Sequence, residues 1–557
     1  MRIKRPGVIW AALTGELWRL LLISTSVLMV VLAFAVAIKP LADGKLGLLD
    51  SLLFMVLALV PMLQYALPFS ACFAATLAHH RMAQDNELVA CYAGGVSHRA
   101  LLAPAALSGL ALAAAVGLIS DQAIPRLLRR MSELVSDELP RLVASSIERG
   151  QALTLPSSDD NPRGRLLYAE SMIPRPIDPA HGAFQHFALS NVLAVDRDPQ
   201  GRTVREMAAR FAFVWVSRDS DPELGPGVRL RVQLQDMVGG ERDGVRTASD
   251  LSEFEYRIPS AFTDDPKYLS LAQMLATYRR PERLNTVDNH RRQLALALAE
   301  HRVLDSLRRS VLRDGSLSFR DSIGRSLTLR AAAIAPTRTG EGFEVLPPQP
   351  RPSEPAPQLE ITLSQDGGRQ RRSVAARGWL STQRTIDGRA VTLTLTLADV
   401  AVLGAAATAR SPEQTIPGLI VPDDPLPQLL TLNNDQLAAL ADATATPRAA
   451  DASLRLAQTI DDARREILSK AHERAAVSLA CFLMVLLGAI MGMRLRDALP
   501  LTVYLWAFFP ALGSVLAISS GQRFTHGNGA VGLPALYGGV LALGALVWHQ
   551  YARLARH

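Results

Sequence analysis

Hydrophobic and polar positions are not mixed evenly along this chain. Six windows, 20–38, 51–78, 100–120, 475–493, 498–522 and 527–548, contain no Asp, Glu, Lys or Arg. Each is 19 to 28 residues long, and about 20 apolar residues span the hydrocarbon of a bilayer. A charge at mid-span costs about 2.5–3.5 kcal/mol, so the pattern predicts six membrane helices, three on either side of a long insert. Pro61 and Pro68 predict a bent second helix. Within the insert the period changes to two. Phe211, Phe213 and Trp215 share one face of a run; Val228, Leu230, Val232 and Leu234 share a face with Arg229, Arg231 and Gln233 opposite. These are half-buried β-strands. Ser132–Ile147 and Thr286–Leu312 read as helices. A second β region follows, with Leu359, Ile361 and Leu363 alternating before Asp366-Gly367, and Val391 to Leu397 alternating after Asp387-Gly388. Pro347–Pro357 reads as a solvated loop, and Ala452–Arg474 as a helix running into the fourth span. Asp264-Asp265-Pro266 and Asp423-Asp424-Pro425 each precede a short helix; duplication or turn chemistry alone accounts for the echo.

The fold class expected is an α-helical membrane protein with six transmembrane helices (3+3) and a large extracytoplasmic β-rich, jellyroll-like insert. The domains expected are 1–135, with a cytoplasmic loop at 79–99; 136–465, with a second β module at 315–420; and 466–557. Charge sets the orientation. With the N-terminus inside, the cytoplasmic side holds ten basic residues (Arg2, Lys4, Arg5, Arg19, Arg81, Arg99, Arg494, Arg496, Arg553 and Arg556) against Lys39, Lys45 and Arg523 outside. Both termini are therefore expected in the cytoplasm and the insert outside. Residues 121–474 balance 46 basic against 46 acidic side chains, which excludes a basic nucleic-acid surface despite the net charge of +7. No Cys lies in 121–474, so cysteine usage does not assign the insert a compartment.

Candidate chemistry is sparse. A phosphate-binding G-x-x-x-x-G-K-[ST] loop is absent, His472-Glu473 is not followed by a second His at 476, and no G-x-S-x-G occurs. No catalytic residue, metal site or cofactor is expected. His79-His80 is expected at the point where the second span meets the cytoplasm. The loop 79–99 carries more information. Met82, Leu88, Cys91 and Tyr92 can line an apolar stripe, Asp85, Asn86 and Glu87 fall in the first turns, and Gly94-Gly95 ends the helix. Such a helix either lies in the headgroup region or docks in a groove of a cytoplasmic partner.

At this loop the chain resembles the LptF/LptG (YjgP/YjgQ) family, permease subunits of the lipopolysaccharide-export ABC transporter. Arg81, Asn86, Glu87, Leu88, Ala93, Gly95, Val96 and Ser97 match the family's loop pattern. Pro68, Pro104, Pro125, Lys470, Gly488 and Gly492 match its membrane helices. The insert is longer than usual, residues 300–450 have no counterpart, and Val531-Gly-Leu-Pro534-Ala lacks the family's Trp and Asn. The resemblance implies an inner-membrane, multi-pass permease without enzymatic activity of its own. Its ATP would be hydrolysed by a cytoplasmic ABC ATPase, and a second LptF/LptG-like permease would complete the cavity. Membrane lipid or lipopolysaccharide would be the cargo, passed to a periplasmic bridge protein, with no nucleic acid involved. It further implies that Glu87, with Arg81, Asp85 and Leu88, lies in the ATPase-coupling helix. Lys39 and Arg523 would face lipid headgroups, although Lys39 also fits an ordinary snorkelling anchor. The insert would offer an apolar groove for acyl chains and an edge strand for the bridge. The alternative is a permease-like mechanotransmission or scaffold subunit that moves a periplasmic partner without carrying lipid.

Overall fold

The computed structural model describes residues 7–42, 48–127, 153–155, 165–176, 182–197, 203–221, 225–241, 246–259, 265–321, 325–336, 342–348, 358–364, 370–384, 391–403, 410–421, 423–444 and 446–556. The Ser132–Ile147 helix and both Asp-Gly turns lie outside the described residues, as does most of the Pro-rich loop.

Five stretches are long and apolar enough to cross a membrane: Gly7–Ala35, Leu59–Gln84, His98–Leu127, Pro447–Arg494 and Pro500–Leu554. They belong to helices α1 (Gly7–Ala42), α2 (Leu48–Gln84), α4 (His98–Leu118), α9 (Pro447–Arg494), α10 (Pro500–Asn528) and α11 (Leu533–Leu554), the last stretch holding two helices. Close approaches of Gly532 to Thr525, Gly521 to Leu536 and Gly539 to Ser514 run in opposite order along α10 and α11, so these two form an antiparallel hairpin. The membrane halves share one apolar core. It joins Leu13, Leu17 and Leu21 of α1, Ala71 to Ala78 of α2, Leu101 to Val116 of α4 and Ala476 to Met493 of α9.

The closest crossing in that core is α2 on α9. A Cβ added at Gly488 would stand 2.5 Å from the Cys72 carbonyl oxygen, and one at Gly492 would stand 2.5 Å from that of Thr76. Glycines four apart let two backbones approach where lipid gives no hydrophobic drive. At this crossing His79 and His80 are fully buried, with the His79 Cβ and the His80 amide beside Gly492 of α9.

The first β region is a seven-stranded antiparallel sheet of order β1-β2-β4-β5-β6-β7, with β3 on the edge of β4. Its strands are β1 (Leu153–Leu155), β2 (Arg165–Tyr168), β3 (Ser171–Arg175), β4 (Ala183–Arg197), β5 (Thr203–Asp221), β6 (Gly225–Glu241) and β7 (Arg246–Pro259). In β4 the buried positions run Phe187, Leu189, then Val192, Ala194. In β5 they run Met207, Ala209, then Ala212, Val214, Val216, and in β6 Leu234, then Met237. Each strand thus carries one extra residue at the same level: Asn191, Arg210 and Asp236. Asn191 (φ 45°) and Asp236 (φ 55°) are left-handed. The three stand opposite one another, so the pairing register is kept while the apolar positions stay on the same side. Phe211, Phe213 and Trp215 share the outer face, where the His186 ring stacks on Trp215 at 4.9 Å.

The second β region is a nine-stranded sheet made of β8 (Ser316–Asp321), β9 (Ser326–Arg330), β10 (Ala333–Pro336), β11 (Phe343–Leu346), β12 (Leu359–Ser364), β13 (Gln370–Ala375), β14 (Arg377–Arg384), β15 (Val391–Leu403) and β16 (Arg410–Ile420). Strands β15-β13-β12-β9-β8-β16 close into a barrel through the β15–β16 pairing. The pairings therefore give a meander and a barrel where a jellyroll was expected. Leu317, Leu327, Leu329, Leu359, Leu380, Leu393 and Leu395 fill the barrel core, each at most 1 % exposed. That core continues onto α6 (Asn285–Asp314), α7 (Leu426–Leu430), α8 (Asn434–Thr444) and the N-terminal part of α9. The buried Glu300 on α6 meets Arg448 of α9 at 2.7 Å and accepts a hydrogen bond from Thr382 of β14 at 2.7 Å. Because α9 runs unbroken from Pro447 to Arg494, the barrel stands directly on a membrane helix.

The echoed Asp-Asp-Pro sequences follow different sheets. Asp265 accepts the Lys267 N–H and Asp424 the Leu426 N–H, each at 2.9 Å. Turn chemistry accounts for both.

Candidate functional site

The loop between α2 and α4 is built by a break in one helix. Helix α2 runs on to Gln84, and Asp85-Asn86 then form a turn with Asn86 left-handed (φ 58°). Asparagine tolerates that conformation through its short polar side chain. The seven-residue α3 (Glu87–Ala93) follows, and Gly95 at φ 79° ends it. Asp85 and Asn86 therefore precede this helix and do not form its first turn.

The expected residues separate into two sets. Leu88 is buried beside Met82 in the bundle core, with Cys91 and Tyr92 packed half-buried against it. Arg81 donates to Glu16 of α1 at 2.6 Å. The Tyr92 hydroxyl meets His98 Nδ1 at 2.7 Å, Trp10 Nε1 donates to the Ala100 carbonyl at 2.8 Å, and Arg99 donates to the Tyr551 hydroxyl at 3.2 Å. These contacts clamp the loop to α1, α4 and α11. Asp85 and Glu87 are exposed, and among the described residues neither carboxylate has an ion-pair partner. Burial, then the neighbouring Cys91, pushes the Tyr92 hydroxyl up to about 12, so it remains protonated and can donate to His98. Burial, then the Glu87 charge, pushes the Cys91 thiol up. The clamped loop thus presents a small acidic surface. Glu16, which anchors it, was not singled out from sequence; its signal is a lone acid in the first apolar helix.

Arg523 is exposed on α10. Lys39 falls among residues 36–58, whose side chains lie outside the described residues. Among the described residues the barrel strands and the helices packed on them share one buried apolar cluster. The inner face of the meander is a buried seam through Leu189, Val192, Val214 and Leu234, with Leu230 and Val232 half-buried toward β7. A void of about 240 Å³ lies between α2 and α10, lined by Phe73, Thr76, Leu77, Pro500, Leu501 and Tyr504. Among the described residues no three His, Cys, Asp or Glu side chains converge as metal ligands.

The family described as lipopolysaccharide export system permease LptF/LptG matches residues 19–298. That range begins in α1, takes in the clamped loop and the whole meander, and stops inside α6. No curated protein matches the chain. A matched range covering half the chain, with its apolar helices and the loop they hold, shows that this membrane protein belongs to the LptF/LptG permease family.

Proposed function

We propose that the chain is one permease subunit of an ABC-type exporter that extracts lipopolysaccharide, or a similar glycolipid, from the inner membrane and passes it to a periplasmic bridge protein. In this reading the hairpin of α10 and α11 makes six crossings, both termini are cytoplasmic, and the meander and barrel are periplasmic. The domains are then 1–135, 136–465 and 466–557, although α9 runs through the last boundary. A separate cytoplasmic ATPase docks on α3. Asp85 and Glu87 meet it, while Arg81 and Leu88 hold the helix in place. A second LptF/LptG-like permease closes the cavity, and Lys39 and Arg523 face lipid phosphates.

The observation that carries the reading is the exposed acidic turn on a loop otherwise locked into the bundle core. A rigid mount transmits force where a mobile loop absorbs it. ATP is needed because each acyl CH₂ brought into water costs about 0.8 kcal/mol. Glu87→Lys reverses the exposed charge and leaves the anchoring contacts alone. In proteoliposomes containing the permease pair and ATPase, this variant loses ATP-driven lipopolysaccharide release. Wild-type release from the variant refutes the assignment.

The mechanotransmission reading has one observation in its favour, the filled barrel and buried meander seam. Photo-crosslinkers at Leu230 and Val232 separate the two. Lipopolysaccharide adducts formed during ATP turnover support transport, and their absence supports the scaffold.

A further inference from the structure

The meander and the barrel are joined to the membrane bundle in different ways. The barrel shares its apolar core with α9, through Ala449, Leu456 and Ala463. Among the described residues the meander's buried cluster consists of its own residues. The segment that follows β7 returns to the bundle at helix α5 (Leu271–Arg279), and there it meets a polar junction.

Helix α4 ends in a π-helical turn, Ile119–Ala123. Such turns insert an extra residue and mark sites under local constraint. Ser120 within it is buried and donates to Gln64 of α2 at 3.2 Å. Asp121, the next residue, accepts a hydrogen bond from the Leu271 N–H. Leu271 is the first residue of α5, whose N-cap Ser270 forms a capping box with Gln273. The carboxylate thus satisfies an N–H with no partner inside the helix and lies at the positive end of the helix dipole. Arg474 of α9 completes the junction. It lies 3.8 Å from Asp121 and donates to the carbonyls of Leu269 at 2.8 Å and Lys267 at 3.0 Å. Side chains 29 % and 16 % exposed for Asp121 and Arg474 leave the pair partly open to water.

We propose that Asp121 and Arg474 are positioning residues that form a releasable latch, fixing the root of the meander on α4 and α9 and passing movement of those helices to it. The barrel, fused to α9, is the fixed body, and the meander is the one that pivots. An apolar joint would need a new core to reform in each position, whereas a charged, hydrogen-bonded joint can exchange its partners for water and close again. This inference rests on the exporter reading.

The test uses the full permease–ATPase complex in lipid nanodiscs and proteoliposomes. Asp121→Leu removes the acceptor, Arg474→Met keeps the stem and removes the fork, and Asp121→Asn keeps an acceptor for the Leu271 amide. Asp121→Leu and Arg474→Met raise hydrogen exchange at Leu271 and the first turn of α5 about tenfold, with α6 unchanged. They preserve ATP hydrolysis while lipopolysaccharide release falls several-fold, and Asp121→Asn restores most of both readouts. Unchanged exchange at α5 overturns the latch. So does an equal fall in hydrolysis and release, which a merely structural role would give. Should the wild-type complex release no lipopolysaccharide, the exporter reading fails, and exchange at α5 still decides whether the latch exists.

Discussion

Replacing Gly492 by alanine tests the crossing on which the membrane core depends. The new Cβ would stand 2.5 Å from the Thr76 carbonyl oxygen, 3.0 Å from the His80 amide nitrogen and 3.2 Å from the His79 Cβ. The two nearest atoms are backbone, so no rotamer change relieves the clash. The first contact must lengthen from 2.5 Å toward the 3.4 Å of ordinary packing, which means parting α2 from α9. Overpacking of this kind costs about 1–3 kcal/mol. Alanine's better helix propensity returns about 1 kcal/mol. With backbone against backbone the upper range applies, and the net loss is about 2 kcal/mol. Gly488→Ala meets the Cys72 carbonyl at the same 2.5 Å and opens the same interface, so the double variant loses less than the sum of the two. Reversible unfolding of the purified protein in bicelles measures all three, with Gly513→Ala as control because nothing lies within 4 Å of its added Cβ. A Gly492→Ala protein as stable as the Gly513→Ala control refutes the tight crossing.

The free thiols give a second test. Cys72 and Cys481 are buried and Cys91 is half-buried, so maleimide labels Cys91 alone under native conditions. The Glu87 charge helps hold that thiol up, so Glu87→Gln raises its thiolate fraction and speeds labelling near neutral pH; because burial is the larger cause, the gain is modest, and slower labelling contradicts the geometry. In the meander, Asn191→Val places a β-branched residue at φ 45° and destabilises by about 1–2 kcal/mol. Asn191→Gly costs well under that despite losing the Asn191–Glu170 hydrogen bond, and equal melting of the two variants contradicts a left-handed backbone at this position.

The clamped loop shows how far sequence reasoning reaches into this site. Leu88, Cys91 and Tyr92 were identifiable as an inward-facing stripe because their spacing is a local property of α3. The break at Asn86 was not, since a left-handed residue between two helical segments leaves the apolar periodicity nearly intact. His79-His80 looked interfacial because both are polar and stand next to Arg81 at the end of an apolar run. Their full burial involves α9, whose Gly492 lies beside both of them, some four hundred positions later in the chain.

The sequence by itself determined the apolar stretches, the side-to-side distribution of Lys and Arg, the two β regions between the membrane halves and the family resemblance. Each of these depends on composition or on a period of 2 or 3.6 within one short segment. Tertiary structure alone decided that the second β region closes into a filled barrel, that its core extends onto α9, and that Asp121 caps a helix 150 positions away. Ring closure, shared cores and borrowed caps are relations between segments whose separate patterns would look the same had they never met.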